Sequence, residues 1–186
     1  MSIHTIATVL SRVAERKADG RTYAGSLVTI DKAHHEIHEG DHYFVTRSTA
    51  AASATDVMCV LLTTPATKRI HYTGSYGGSG AIVAHLVENP TVAVTSKVAL
   101  VEFNSDRAST KAATVVAVKI SSTDLSAGTT LQKTVLGGGL QGRTGGSLAE
   151  RTELILKQSE DYAILIDSDA ASNNIAYIGT WYEEST

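Results

Sequence analysis

One cysteine in 186 residues leaves no partner for an internal disulfide and excludes any multi-cysteine zinc or iron–sulfur site. Proline occurs only twice and aromatic side chains only as seven Tyr, two Phe and one Trp, while Thr, Ser, Ala and Val are plentiful. With 42% hydrophobic and 19% charged residues this is a globular composition, and its β-branched content predicts a sheet-rich fold. Neither sign of charge dominates, since 16 Lys and Arg face 19 Asp and Glu for a net charge of −3. No broad basic field is available to gather nucleic acid or anionic lipid, so direct nucleic-acid binding is disfavoured. The longest apolar run, Val57 to Leu62, falls far short of the roughly 20 residues that span a bilayer, so no membrane partner is expected. The opening MSIHTIATVLSRVAERKADG lacks the basic region, apolar block and small-residue cleavage site of a signal peptide. A chain of this length is expected to form one soluble domain with its own core.

What is present divides the chain into an arm and a body. Ile3, Ile6, Val9 or Leu10, and Val13 recur at helical spacing and Gly20 follows as a stop, so residues 1–20 read as a short helix or N-terminal arm. Residues 21–186 read as a single β-sandwich domain. Its strand candidates are short runs rich in Val, Ile, Thr and Tyr: Ser26–Ile30, Asp41–Arg47, Asp56–Leu62, Lys68–Thr73, Ala81–Glu88, Thr91–Thr95, Lys97–Asn104, Ala113–Ile120, Glu150–Lys157, Tyr162–Asp167 and Ile175–Glu183. No long helices alternate with them, which argues for an all-β antiparallel sandwich or jelly roll rather than a parallel sheet. The run DVMCVLL at 56–62 is continuously apolar and predicts a strand covered on both faces, with Cys59 as a small core side chain and not a nucleophile. Alternation on either side of QSED predicts a hairpin between Thr152–Lys157 and Tyr162–Asp167. The stretch 121–147 holds seven of the fifteen glycines and reads as a long Gly/Ser/Thr-rich surface loop.

Few residue patterns propose chemistry. GGGLQGRT at 137–144 has phosphate-loop spacing, but Arg143 stands in the lysine position and GGS follows where a helix should start, so no nucleotide site is assigned. In AHHEIHEGDHYFV, an extended strand would put His34, Glu36, His38 and His42 on one face, a set able to hold a divalent transition metal. The arrangement resembles the metal strand of cupins, although the cupin order of ligands is not reproduced and Gly40–Asp41 marks a turn inside the cluster. The plainer reading is a polar approach to a strand, its histidines hydrogen-bonded within the domain or to a partner. No GxSxG elbow or other nucleophile–base pair is visible, since GGSGA at 77–81 lacks the last glycine. No catalytic, cofactor-binding or metal residue is therefore assigned, no cofactor is expected, and the chain is not read as an enzyme.

Three segments taken together, IDKAHHEIHEGDHYFV at 30–45, ERTELILKQSEDYAILI at 150–166 and IAYIGTWYEE at 175–184, resemble a family of small virion structural proteins of tailed bacteriophages. The resemblance lies in His-Glu-Ile-His followed by glycine and an aromatic strand, in strand–Lys-Gln-x-x-x-Tyr–strand, and in a closing Trp-Tyr-Glu. It covers both ends and leaves roughly residues 46–130 without an anchor. It implies a sandwich or jelly-roll decoration (cement) protein on the outside of the head, made in the host cytoplasm, with the major capsid protein as partner. A homo-oligomer, dimer or trimer, would match the symmetry axes of the shell. The alternatives are another virion component, such as a head-fibre base, tail or receptor-recognition module, and a metal-binding cupin-like protein.

Overall fold

The computed structural model describes residues 32–93, 97–137 and 153–185. The expected arm 1–20, the run Ser26–Ile30, residues 138–147 of the glycine-rich stretch and residues 148–152 lie outside the described residues. The described chain is an all-β sandwich with one helix, α1 (Lys32–Glu39). Its strands are β1 (His42–Ala51), β2 (Val57–Thr63), β3 (Lys68–Gly78), β4 (Ile82–Glu88), β5 (Thr91–Val92), β6 (Val98–Ala99), β7 (Phe103–Asn104), β8 (Val116–Ile120), β9 (Leu125–Ser126), β10 (Thr129–Leu136), β11 (Leu154–Leu156), β12 (Asp161–Ser168) and β13 (Asn173–Ser185).

Sheet I has the order β11-β3-β13-β1-β7, sheet II the order β10-β4-β12-β2-β8-β6, and β5 with β9 forms a separate ribbon. Every paired neighbour is antiparallel. Among the described residues no two strands consecutive in sequence pair with each other. Nearly every turn carries the chain from one sheet to the other, so pairing joins residues distant in sequence, as in the long register of β1 on β13 from His42↔Tyr182 to Ala51↔Asn173.

Alternation along the strands explains the core. Val45 and Tyr43 of β1, Ile70 and Tyr72 of β3, and Ile175, Tyr177 and Trp181 of β13 face Met58, Val60 and Leu62 of β2, Ile82, Ala84 and Leu86 of β4, and Tyr162, Ile164 and Ile166 of β12. Each large apolar side chain buried this way stabilises the fold by about 1.5–3 kcal/mol before chain entropy is counted. A second, smaller cluster lies on the outer face of sheet II, where Cys59, Leu61, Val87, Val118 and Ala163 are covered by Val92 and Leu125 of the ribbon. The run DVMCVLL is therefore covered on both faces, as its composition predicts, and Cys59 is a fully buried core side chain. Burial pushes its thiol pKa up to about 12, which leaves it protonated and unreactive at neutral pH.

Two expectations are corrected. The QSED turn does not close a hairpin: β11 pairs with β3 in sheet I, whereas β12 pairs with β2 and β4 in sheet II. The turn instead docks on the β2–β3 connection, where Thr64 N donates to Glu160 O at 3.0 Å and Ser159 N to Pro65 O at 3.2 Å. The stretch 121–147 is not a loop throughout, because Thr129–Leu136 is a full strand in register with β4 from Thr129↔Glu88 to Leu136↔Ile82. Its glycines mislead, since all but Gly128 fall at 137 or beyond.

Candidate functional site

The histidine-rich segment does not form the strand on which the metal reading depended. Residues Lys32–Glu39 are helical, and the helix stops at Gly40, whose φ of +74° is cheap only for glycine. The last turn is closed by Gly40 N donating to Ile37 O at 3.0 Å and Asp41 N to Glu36 O at 2.9 Å. His34 and His38 therefore stand one turn apart, with Nε2 atoms 3.0 Å from each other. His35 lies 3.8 Å from Glu36 and 4.0 Å from Glu39 on the exposed side. His42 is on β1, apart from these three, and its Nδ1 contacts Ser105 Oγ at 2.6 Å. Among the described residues no group of three or more His, Cys, Asp or Glu side chains is arranged to hold a metal ion.

The arrangement that does form lies on the outer face of sheet I. Tyr182 of β13 is in register with His71 of β3 on one side and His42 of β1 on the other, so the three side chains form a row across three strands. The His71 and Tyr182 rings stack with centroids 4.3 Å apart and planes 11° from parallel. His71 Nδ1 is 2.6 Å from Glu153 Oε1, and its Nε2 is 3.3 Å from Glu184 Oε2. The Tyr182 hydroxyl donates to the same Glu153 oxygen at 2.8 Å. Thr73 and Thr180 complete a small polar groove of about 120 Å³ beside these rings.

Electrostatics follow from this crowding. Burial, then the hydrogen bond to Glu153 and the charges of Glu153, Glu184 and Glu36, drive the Tyr182 phenol pKa well up and keep it a donor. Burial lowers the pKa of His42, which favours its neutral form. His42 and Ser105 make a serine–histidine contact that no local motif announces, because the two are 63 residues apart. Among the described residues no carboxylate hydrogen-bonds the other ring nitrogen of His42, so the third member that orients a catalytic histidine is missing from the arrangement. The groove presents hydrogen-bonding groups and a flat aromatic surface, and its acids are engaged by His71 and Tyr182.

On the core side of the same strand, Glu183 is fully buried. Its carboxylate receives Lys68 Nζ at 3.0 Å, Thr114 N at 2.7 Å, Thr114 Oγ1 at 2.6 Å, Val115 N at 3.2 Å and the Trp181 indole N–H at 3.2 Å. This cluster fastens the loop before β8 and the start of β3 to the last strand, directly behind the groove. His71, Ser105, Glu153 and Glu183 were not distinguished by the sequence, because each acquires its role from a partner that the fold supplies.

No family model matches the chain, and no curated protein and no solved structure matches it either.

Proposed function

We propose that this protein is a bacteriophage head decoration protein that binds the outer surface of the major capsid lattice and stabilises the shell. The observation that carries the reading is the set of three segments at 30–45, 150–166 and 175–184 that resemble small tailed-phage virion proteins. The fold is consistent with it in part: most of β12 goes to sheet II, while the three segments supply the start of β1, β11 and most of β13 to sheet I, where His42, Glu153 and Tyr182 line the groove on its outer face. That face is the one we assign to the capsid contact.

The sandwich also has the edges such a protein needs. Sheet II ends in the two-residue β6 on one side, and sheet I in the two-residue β7 and the three-residue β11. The longer edge, β10, carries an irregularity between Thr130 and Gln132 and an exposed Lys133, both of which discourage edge-to-edge association. Many copies bound weakly through repeated contacts would act together by avidity, whether as monomers or as the dimers and trimers that shell symmetry favours. A cryo-electron microscopy map of intact particles tests the proposal. The expected result is a regular array on the head exterior with sheet I toward the shell; density confined to the tail overturns it.

A further inference from the structure

The helical form of Lys32–Glu39 sets up a side-chain pair that an extended strand does not offer. His34 and His38 are one turn apart, so their rings neighbour each other on one exposed stripe of α1. Their Nε2 atoms are 3.0 Å apart, and the ring centroids, at 4.7 Å, are closer than two imidazoles pointing head-on across that gap would be. The rings are therefore canted, not aligned for a single linear hydrogen bond. The other two histidines of the segment are engaged elsewhere, His35 by Glu36 and Glu39 and His42 by Ser105.

The separation of the two nitrogens points to a metal and to its geometry. Two imidazole nitrogens at about 2.0–2.1 Å from one divalent ion stand about 2.9 Å apart in neighbouring square-planar or octahedral positions, and about 3.3 Å apart on a tetrahedral ion. The observed 3.0 Å matches the right-angled case with the helix as it stands. Copper(II) combines that geometry with the highest affinity for such ligands in the divalent first-row series. The helix holds the pair in place, since Gly40 N and Asp41 N close its last turn on Ile37 O and Glu36 O, and Glu36 and Ile37 are half-buried while both histidines are exposed. Glu36, Glu39 and Asp41, offset in part by Lys111, make the surroundings favourable to a cation. Each ring binds such an ion through Nε2 with its proton on Nδ1, and water fills the remaining positions.

We infer that His34 and His38 form a two-histidine chelate for copper(II) on the exposed face of α1. The test is equilibrium dialysis of the full chain, without an affinity tag, near neutral pH against copper(II) chloride buffered at about 10 µM free ion. The unaltered chain is expected to retain one more copper ion than the double variant His34→Ala/His38→Ala, a difference from which copper held elsewhere cancels. Either single variant should weaken that site at least about tenfold, because losing one ring loses the chelate. His35→Ala, beside the pair but outside it, should leave the site intact. Zinc is expected to bind it at least about tenfold more weakly than copper(II). The electron paramagnetic resonance difference spectrum between the unaltered chain and the double variant should show a tetragonal ion coupled to imidazole nitrogen. Equal copper in the two chains, His35→Ala losing the extra ion as fully as His38→Ala, zinc bound as tightly as copper, or a difference spectrum without imidazole coupling would each overturn the assignment.

Discussion

Gly74 and Gly179 face each other across the β3–β13 pair, and the space left by their missing side chains is filled by phenol groups. A methyl group on Gly74 would stand 2.5 Å from the Tyr76 hydroxyl and 2.6 Å from that of Tyr72, and one on Gly179 would fall on the Tyr177 hydroxyl. Tyr72 and Tyr177 hydrogen-bond at 3.0 Å in this slot, which lets three large polar-tipped rings share a core without leaving those two hydroxyls unpaired. Burial drives the Tyr72 and Tyr177 phenol pKa values far up, so both remain protonated.

Gly179→Ala is accordingly expected to destabilise the protein by about 1–3 kcal/mol through overpacking. Tyr177→Phe removes the clashing oxygen, so in the double variant the alanine should cost less than it does alone. A double-mutant cycle from urea unfolding measures this coupling; strict additivity would show that the two residues do not share the slot.

Glu183 should be among the least replaceable side chains. Glu183→Ala leaves the Lys68 ammonium and the buried donors of Thr114, Val115 and Trp181 without their acceptor, at an expected cost of about 3–5 kcal/mol. Glu183→Gln keeps the shape but turns an amide donor toward other donors, and about 1–3 kcal/mol is expected. Denaturant midpoints of the two variants test the order.

His42 gives stability a pH dependence whose sign is fixed by burial. Its folded pKa is below the ordinary 6.5, so just under that pH the unfolded chain takes up a proton that the folded chain refuses. The contribution is complete above about 6.5 and is lost as the pH falls toward the lowered value. His42→Gln, which can still reach Ser105, should flatten the stability curve between about pH 7 and pH 5, measured by thermal or urea unfolding. An unaltered slope would count against the burial argument.

Ala127 holds a left-handed φ of +54° between β9 and β10. Ala127→Gly relieves that conformation at the expense of greater freedom in the unfolded chain, and a net gain of about 0.5–1 kcal/mol is expected. Calorimetry would detect it as a raised Tm; a lowered Tm would mean that the methyl group's contacts outweigh the strain.

Much of the fold was legible because burial leaves a local imprint. DVMCVLL has no polar alternation, and the strand it forms has none of its faces in water; the runs that became β4, β8 and β13 were placed within three residues of their observed ends, whereas β1 and β3 run on to Ala51 and Gly78, beyond the expected Arg47 and Thr73. Helix α1 was missed because KAHHEIHE is too short for a persuasive helical period, and its polar residues fit an alternating strand equally well. The hairpin was misplaced for a different reason. A tight polar turn reverses the chain whether the following strand joins the same sheet or the opposite one, and only packing of both apolar faces against their neighbours selects between them.

An all-β body with Cys59 as an inert core residue and little charge to spare follows from residue order alone, since these depend on composition and on period along the chain. Which strands are neighbours, and with that the groove of sheet I, was set by how the two sheets pack. His71 meets Glu153 and Glu184 across 82 and 113 residues, and Tyr182 stands between His71 and His42. Such constellations leave no spacing to read, because in a sandwich whose consecutive strands alternate between sheets, proximity is set by burial of two opposed faces and not by distance along the chain.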